Sequence, residues 1–119
     1  SSGYGFYNCT NLTNCTGTGT GTTGYGFSFC NYLTNCTGTG TGDDAYGFYN
    51  CNYLTNCTGT GTGTTLGYGF YSIITASNCR AGGESTTAMW GGTNKNIDIE
   101  TCRKTPVQVT SDELTTLNT

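Results

Sequence analysis

The sequence predicts an all-β chain: a single-stranded parallel β-helix (β-solenoid) of about four 21-residue coils plus an irregular C-terminal cap. Three observations predict it. The motif Tyr-Gly-Phe starts at Tyr4, Tyr25, Tyr46 and Tyr68, so the steps are 21, 21 and 22 residues, with Leu66 read as the single insertion. Self-similarity at a fixed period marks units that stack on their neighbours and bury a continuous core between them. Each of the first three units ends in an alternating Thr-Gly run, which has the strand period of 2. The third observation is compositional. Charged residues are only 9% and aromatics 13%, whereas disordered chains are charged and poor in aromatics, so a coil that packs backbone on backbone fits better. Residues 1–79 are assigned to the solenoid and 80–119 to the capping segment and tail.

Aligned units give columns. Phe6, Phe27, Phe48 and Phe70 form one; Leu12, Leu33 and Leu54 form another, with Ala76 in fourth place. Cys9, Cys30, Cys51 and Ile73 share a column, as do Cys15, Cys36, Cys57 and Cys79. Phe6, Cys9, Leu12 and Cys15 lie three apart, which matches neither strand nor helix, so short strands joined by corners are expected. From Cys15 onward the period is 2: Gly17, Gly19 and Gly21 are expected to point inward, where Phe and Leu of the opposite wall approach them. Thr16, Thr18 and Thr20 then point outward. Asn14, Asn35, Asn56 and Asn78 form a further column, read as an inward amide ladder along the axis. Asn8, Asn11, Asn14, Asn35 and Asn56 also match the N-glycosylation acceptor, a pattern that the repeat itself generates.

After Cys79 the repeat fades. Arg80-Ala81-Gly82-Gly83-Glu84 stands where another Thr-Gly run would begin, and Met89 and Trp90 are expected to cover the end of the stack. Asn96-Ile97-Asp98-Ile99-Glu100 alternates as a final strand, and Thr110 to Leu114 reads as a helix start cut short. The chain opens inside a repeat, so its location is not legible from its first residues.

A net charge of −3 with Arg80, Lys95, Arg103 and Lys104 as the only cations argues against nucleic acid and anionic membrane as partners. No apolar run approaches the ~20 residues of a membrane span, so no membrane insertion is expected. Eight cysteines suggest either local bridges such as Cys9–Cys15, Cys30–Cys36 and Cys51–Cys57 or free stacked thiols. Ile73 in place of the first cysteine of unit four favours free thiols. With no histidine and a Cys-x5-Cys spacing, no metal and no cofactor are expected. The acids Asp43, Asp44, Glu84, Asp98, Glu100, Asp112 and Glu113 do not repeat and are not paired with a base, so catalysis is not expected; Asp43 and Asp44 read as solvated corner residues.

The repeat style of Tyr46-Gly47-Phe48-Tyr49-Asn50-Cys51-Asn52-Tyr53-Leu54-Thr55-Asn56-Cys57-Thr58-Gly59 resembles right-handed parallel β-helix repeats of bacterial surface and phage tail-fibre-like proteins. The resemblance covers Gly3 to about Cys102. It implies a rigid shaft or carbohydrate-contacting module, extracellular or surface- or virion-associated, that stacks with other copies of itself. The rows Thr16-Gly17-Thr18-Gly19-Thr20, Thr37-Gly38-Thr39-Gly40-Thr41 and Thr58-Gly59-Thr60-Gly61-Thr62 are also similar to those of β-solenoid antifreeze proteins, which implies an ice surface as the alternative ligand. The expected function is a non-enzymatic structural, fibre-forming or adhesive solenoid. Its binding face is Thr16, Thr18, Thr20, Thr37, Thr39, Thr41, Thr58, Thr60 and Thr62.

Overall fold

A computed structural model describes residues 1–83 and, as backbone alone, the short strands at 96–97, 103–104 and 107–108. Regular structure among the described residues is all strand, wound as a parallel β-solenoid of about four turns. Each turn has three arms. The first arm is β1 (Ser2–Tyr7), β4 (Thr23–Ser28) and the second halves of β6 (Thr37–Tyr49) and β8 (Thr58–Tyr71). The second arm is β2 (Thr10–Thr13), β5 (Asn31–Thr34), β7 (Asn52–Thr55) and β9 (Thr75–Ser77). The third is β3 (Thr16–Gly19), the first halves of β6 and β8, and β10 (Arg80–Gly83).

Every arm lies in register on the arm of the preceding turn. Tyr4 pairs with Tyr25, Tyr25 with Tyr46, and Tyr46 with Tyr68. Leu12, Leu33, Leu54 and Ala76 follow the same rule, as do Thr16, Thr37, Thr58 and Arg80. The extra residue of unit four is not Leu66. That residue pairs with Asp44, and the register shift falls just before it, so Thr64 and Thr65 together stand opposite Asp43. A bulge of this kind adds one residue without disturbing the rungs on either side.

The three-residue spacing of the core has a backbone cause. Asn8, Asn11 and Asn14 all have φ of 57–58°, in the left-handed region, and each directly precedes an inward residue, Cys9, Leu12 or Cys15. The same three places are Phe29, Tyr32 and Asn35 in turn two and Asn50, Tyr53 and Asn56 in turn three. Asparagine tolerates this conformation better than most residues. The asparagine column therefore serves the corners: Asn14, Asn35, Asn56 and Asn78 are exposed, which corrects the expected inward placement. One step of the amide ladder is present, with Asn78 Nδ2 donating to Asn56 Oδ1 at 2.6 Å.

Turn two carries a local exception. Where Tyr7-Asn8 and Tyr49-Asn50 stand in the flanking turns, this turn has Ser28-Phe29, and Phe29 adopts φ 56°. A bulky residue in that region is strained by roughly 1–3 kcal/mol. The Phe29 ring lies edge-on between Tyr7 and Tyr49, 6.0 Å from each, and so fills the ring row that Ser28 leaves vacant. Restoring the repeat with the double variant Ser28→Tyr, Phe29→Asn is expected to raise stability by about 1 kcal/mol in urea unfolding. Phe29→Asn alone is expected to lower it, because the row then has no ring at that rung. A double variant less stable than the parent would show that the corner conformation is not strained.

The core runs along the axis in columns. Phe27, Phe48 and Phe70 are fully buried and stacked, with Phe6 below them, at centroid separations of 4.9, 4.8 and 5.0 Å. Leu33, Leu54, Ile73, Ala76 and the cysteines from Cys30 to Cys79 complete it. Beyond the phenylalanines the inward places of the described residues are mostly glycine, with the small side chains of Ala45 and Ala81 as the buried exceptions. A Cβ on Gly38 would meet the Gly47 carbonyl at 2.4 Å and Phe27 Cδ1 at 2.9 Å. One on Gly40 would meet the Gly24 carbonyl at 2.4 Å and the Tyr46 backbone at 2.5 Å. The expected Phe contact is present, but what presses on the Thr-Gly strand is the backbone of the Tyr-Gly-Phe strand. Gly21 and Gly42 do not join this interior: they turn the corner to the next coil at φ 123° and 132°, and Gly21 is exposed, contrary to its expected inward place.

The sheets continue past residue 79. β10 pairs with β8, β11 (Asn96–Ile97) with β9, and β12 (Arg103–Lys104) with β10, all parallel. β13 (Val107–Gln108) then joins β12 in the antiparallel sense. Met89, Trp90, the residues of 98–100 and the expected helix start at Thr110 lie outside the described residues.

Candidate binding face

Alternation in the third arm places glycine inward and threonine outward, because only a glycine fits against the facing backbone. Gly17, Gly19, Gly38, Gly40, Gly59 and Gly61 are buried, whereas the threonines between them are exposed or half-buried. The register makes the threonines a grid. Thr16, Thr37 and Thr58 form one row and Thr18, Thr39 and Thr60 a second; Thr41 and Thr62 begin a third. Thr20 lies one residue past the end of β3, so the corresponding place in turn one is outside the paired strand. Rungs are about 4.8 Å apart and outward residues about 6.6 Å apart along a strand. The grid ends in turn four, where Arg80 pairs with Thr58 and Gly82 with Thr60. Each threonine brings a methyl and a hydroxyl, and one hydroxyl is already engaged: Thr62 donates to the Gly40 carbonyl at 3.3 Å.

The opposite wall carries a second periodic face that the sequence reading did not assign. Tyr4, Tyr25, Tyr46 and Tyr68 stack at 4.9, 5.1 and 5.6 Å. Tyr7, Tyr49 and Tyr71 flank them, each meeting the tyrosine three residues earlier in its own turn at 4.9 Å. Gly5 and Phe6 both turn inward, which leaves the flanking tyrosines on the same outer surface. The signal was the recurrence of Tyr-Gly-Phe-Tyr, legible once the glycine is understood as the residue that faces the other wall. Burial, then the nearby Asp44 carboxylate, pushes the Tyr46 hydroxyl up to about 12, and Tyr25 shifts in the same direction for the same leading cause. Both are therefore neutral hydrogen-bonding groups at physiological pH.

Of the two acids expected to be solvated at the corner, Asp44 is instead half-buried within β6, paired with Thr23 and Leu66. Asp43 is exposed and accepts a hydrogen bond from the Thr64 hydroxyl at 3.0 Å. Among the described residues no three His, Cys, Asp or Glu side chains are grouped to hold a metal ion. Cys9, Cys15, Cys30, Cys36, Cys51 and Cys57 are free thiols. Cys30, Cys36, Cys51 and Cys57 each donate to the carbonyl two residues earlier and to a carbonyl of the preceding turn. Comparison of the chain with family models, with curated proteins and with solved structures returns no match.

Proposed function

We propose that the protein is a non-enzymatic structural and adhesive β-solenoid whose threonine grid holds an extended, hydroxyl-rich polymer, a polysaccharide being the best chemical fit. The observation that carries this reading is the in-register alignment of Thr16, Thr37 and Thr58 and of Thr18, Thr39 and Thr60. A single threonine binds almost nothing. Repeated at a fixed spacing against a partner with its own repeat, many weak contacts form together and their effect multiplies. Each grid point supplies a donor and acceptor beside a methyl, which suits sugar rings with alternating hydroxyl and C–H edges. The proposed setting is extracellular or on a cell or virion surface.

The test is pull-down on insoluble polysaccharides with the parent chain and with Thr39→Tyr, at the centre of the grid. Binding is expected to fall at least about tenfold, a loss of roughly 1.4 kcal/mol, with an unchanged far-UV spectrum. Undiminished binding by the variant would move the functional face elsewhere.

A second reading, adsorption to ice, is favoured by one specific observation: no position of the grid in the first three turns holds a charged or aromatic residue. An uncharged lattice of methyls and hydroxyls orders neighbouring water without the strong local pull of an ion. Thermal hysteresis and faceted ice growth by the parent, absent in Thr39→Tyr, would select this reading over the polysaccharide one.

A further inference from the structure

The threonine and tyrosine faces leave the buried thiols unused. Four of them stand in the second and third turns, Cys30 below Cys51 in one column and Cys36 below Cys57 in the other, and all four are buried. We infer that each of these two pairs binds one Cu(I) ion in line between its sulfurs, so that the core carries two-coordinate thiolate sites at Cys30–Cys51 and at Cys36–Cys57.

The sulfurs take the same place in consecutive turns. Cys30 Sγ and Cys51 Sγ each lie 3.4 Å from the carbonyl oxygen two residues earlier, and 3.7 and 3.5 Å from the equivalent carbonyl of the preceding turn. Cys36 and Cys57 repeat both contacts, at 3.4 and 3.5 Å. Side chains placed alike in successive turns are separated by the rung spacing itself. On both flanks of the Cys30–Cys51 pair that spacing is 4.8 Å, at Phe27–Phe48 and at Tyr32–Tyr53. Register is held beside each pair, with Asn52 N–H donating to the Cys30 carbonyl at 3.2 Å and Thr58 N–H to the Cys36 carbonyl at 2.9 Å.

That gap decides the chemistry. A disulfide needs its sulfurs about 2.05 Å apart, so locked rungs keep each pair from bonding directly. Two metal–thiolate bonds of about 2.3 Å laid end to end span roughly 4.6 Å, which matches the gap. Structural zinc and iron–sulfur clusters call for four ligands, whereas no three His, Cys, Asp or Glu side chains are grouped among the described residues. Among the metals that soft thiolates select, Cu(I) is the one served by two sulfurs. Pairing within a turn is blocked, because buried Leu33 stands between Cys30 and Cys36 and buried Leu54 between Cys51 and Cys57. The carbonyl oxygens of Phe27, Ser28 and Tyr49, which accept the S–H bonds of the first pair, turn the negative ends of their dipoles toward a cation held there. On binding, two S–H bonds break, two protons pass to solvent and two S–Cu bonds form, while copper keeps its +1 state. Since the thiols are buried, the ion enters as the coil folds rather than through its finished wall.

The experiment refolds the full chain from urea without oxygen, in the presence of Cu(I) kept reduced by ascorbate. After desalting, copper is counted per chain and its neighbours are read by X-ray absorption. The chain with alanine at Cys9, Cys15, Cys79 and Cys102 is expected to hold two copper ions, each with two sulfur neighbours, and to unfold at higher urea than its copper-free form. Adding Cys36→Ala and Cys57→Ala keeps the axial pair Cys30–Cys51, and one copper is expected. Adding Cys30→Ala and Cys36→Ala instead keeps Cys51 and Cys57 of one turn, and none is expected. Far-UV spectra check that each variant folds; should the alanine variants fail to fold, the parent decides, with two sulfurs around each copper expected. Copper retained by the same-turn variant, a folded axial variant without copper, or three or more sulfurs around the ion in the parent would each overturn the inference.

Discussion

Replacing Gly47 with alanine is expected to destabilise the fold by about 3 kcal/mol or more, although it adds one methyl group. A Cβ there would stand 2.5 Å from the Gly69 carbonyl oxygen, 2.6 Å from Thr60 N and 2.8 Å from Gly59 Cα. All three are backbone atoms, so no side chain can swing aside. Relief requires parting the Tyr-Gly-Phe strand from the Thr-Gly strand, and both strands are hydrogen-bonded to turns on either side. Against a total stability of roughly 5–15 kcal/mol, that is a large fraction. Urea denaturation of the parent and variant measures the difference. A loss under about 1 kcal/mol would mean that the two walls have slack, contrary to the close approach described above.

Phe48→Ala is expected to cost about 3–5 kcal/mol, for the opposite reason. Phe48 is fully buried and sandwiched between Phe27 at 4.8 Å and Phe70 at 5.0 Å. Truncation removes the ring and leaves a cavity that in-register strands cannot collapse, because their spacing is fixed by the ladder hydrogen bonds. Each turn touches only its neighbours, so a gap at turn three weakens the coupling between the first two turns and the last. The expected signature is a broadened or biphasic unfolding transition in addition to a lowered midpoint. A single sharp transition with less than about 1.5 kcal/mol lost would show that the ring stack does not bind the turns together.

The winding was legible because it is written in repetition. Tyr4, Tyr25, Tyr46 and Tyr68 mark the pitch, and the columns of Phe and Leu mark the core. The corners were harder to read. Spacing by three announced that they existed, but asparagine serves equally well as an inward ladder and as a left-handed corner residue, and only the backbone decides. Phe29, Tyr32 and Tyr53 hid the corners further, since aromatic residues do not ordinarily signal positive φ. The bulge at Thr64 and Thr65 was misplaced onto Leu66 because an odd residue looks inserted, whereas the register counts hydrogen-bonded partners. The threonine grid followed from alternation alone. Its tyrosine counterpart did not, because Gly5 and Phe6 break that alternation by turning inward together.

The glycine interior has a mechanical consequence. Two stacked sheets ordinarily stand about 10 Å apart, cushioned by side chains that can change rotamer. Here nothing deformable separates the hydroxyl lattice from the phenol lattice, and the two share a single stiff plate. A partner gripping one surface therefore meets a template whose pitch is set by peptide bonds, and it must conform to that pitch itself.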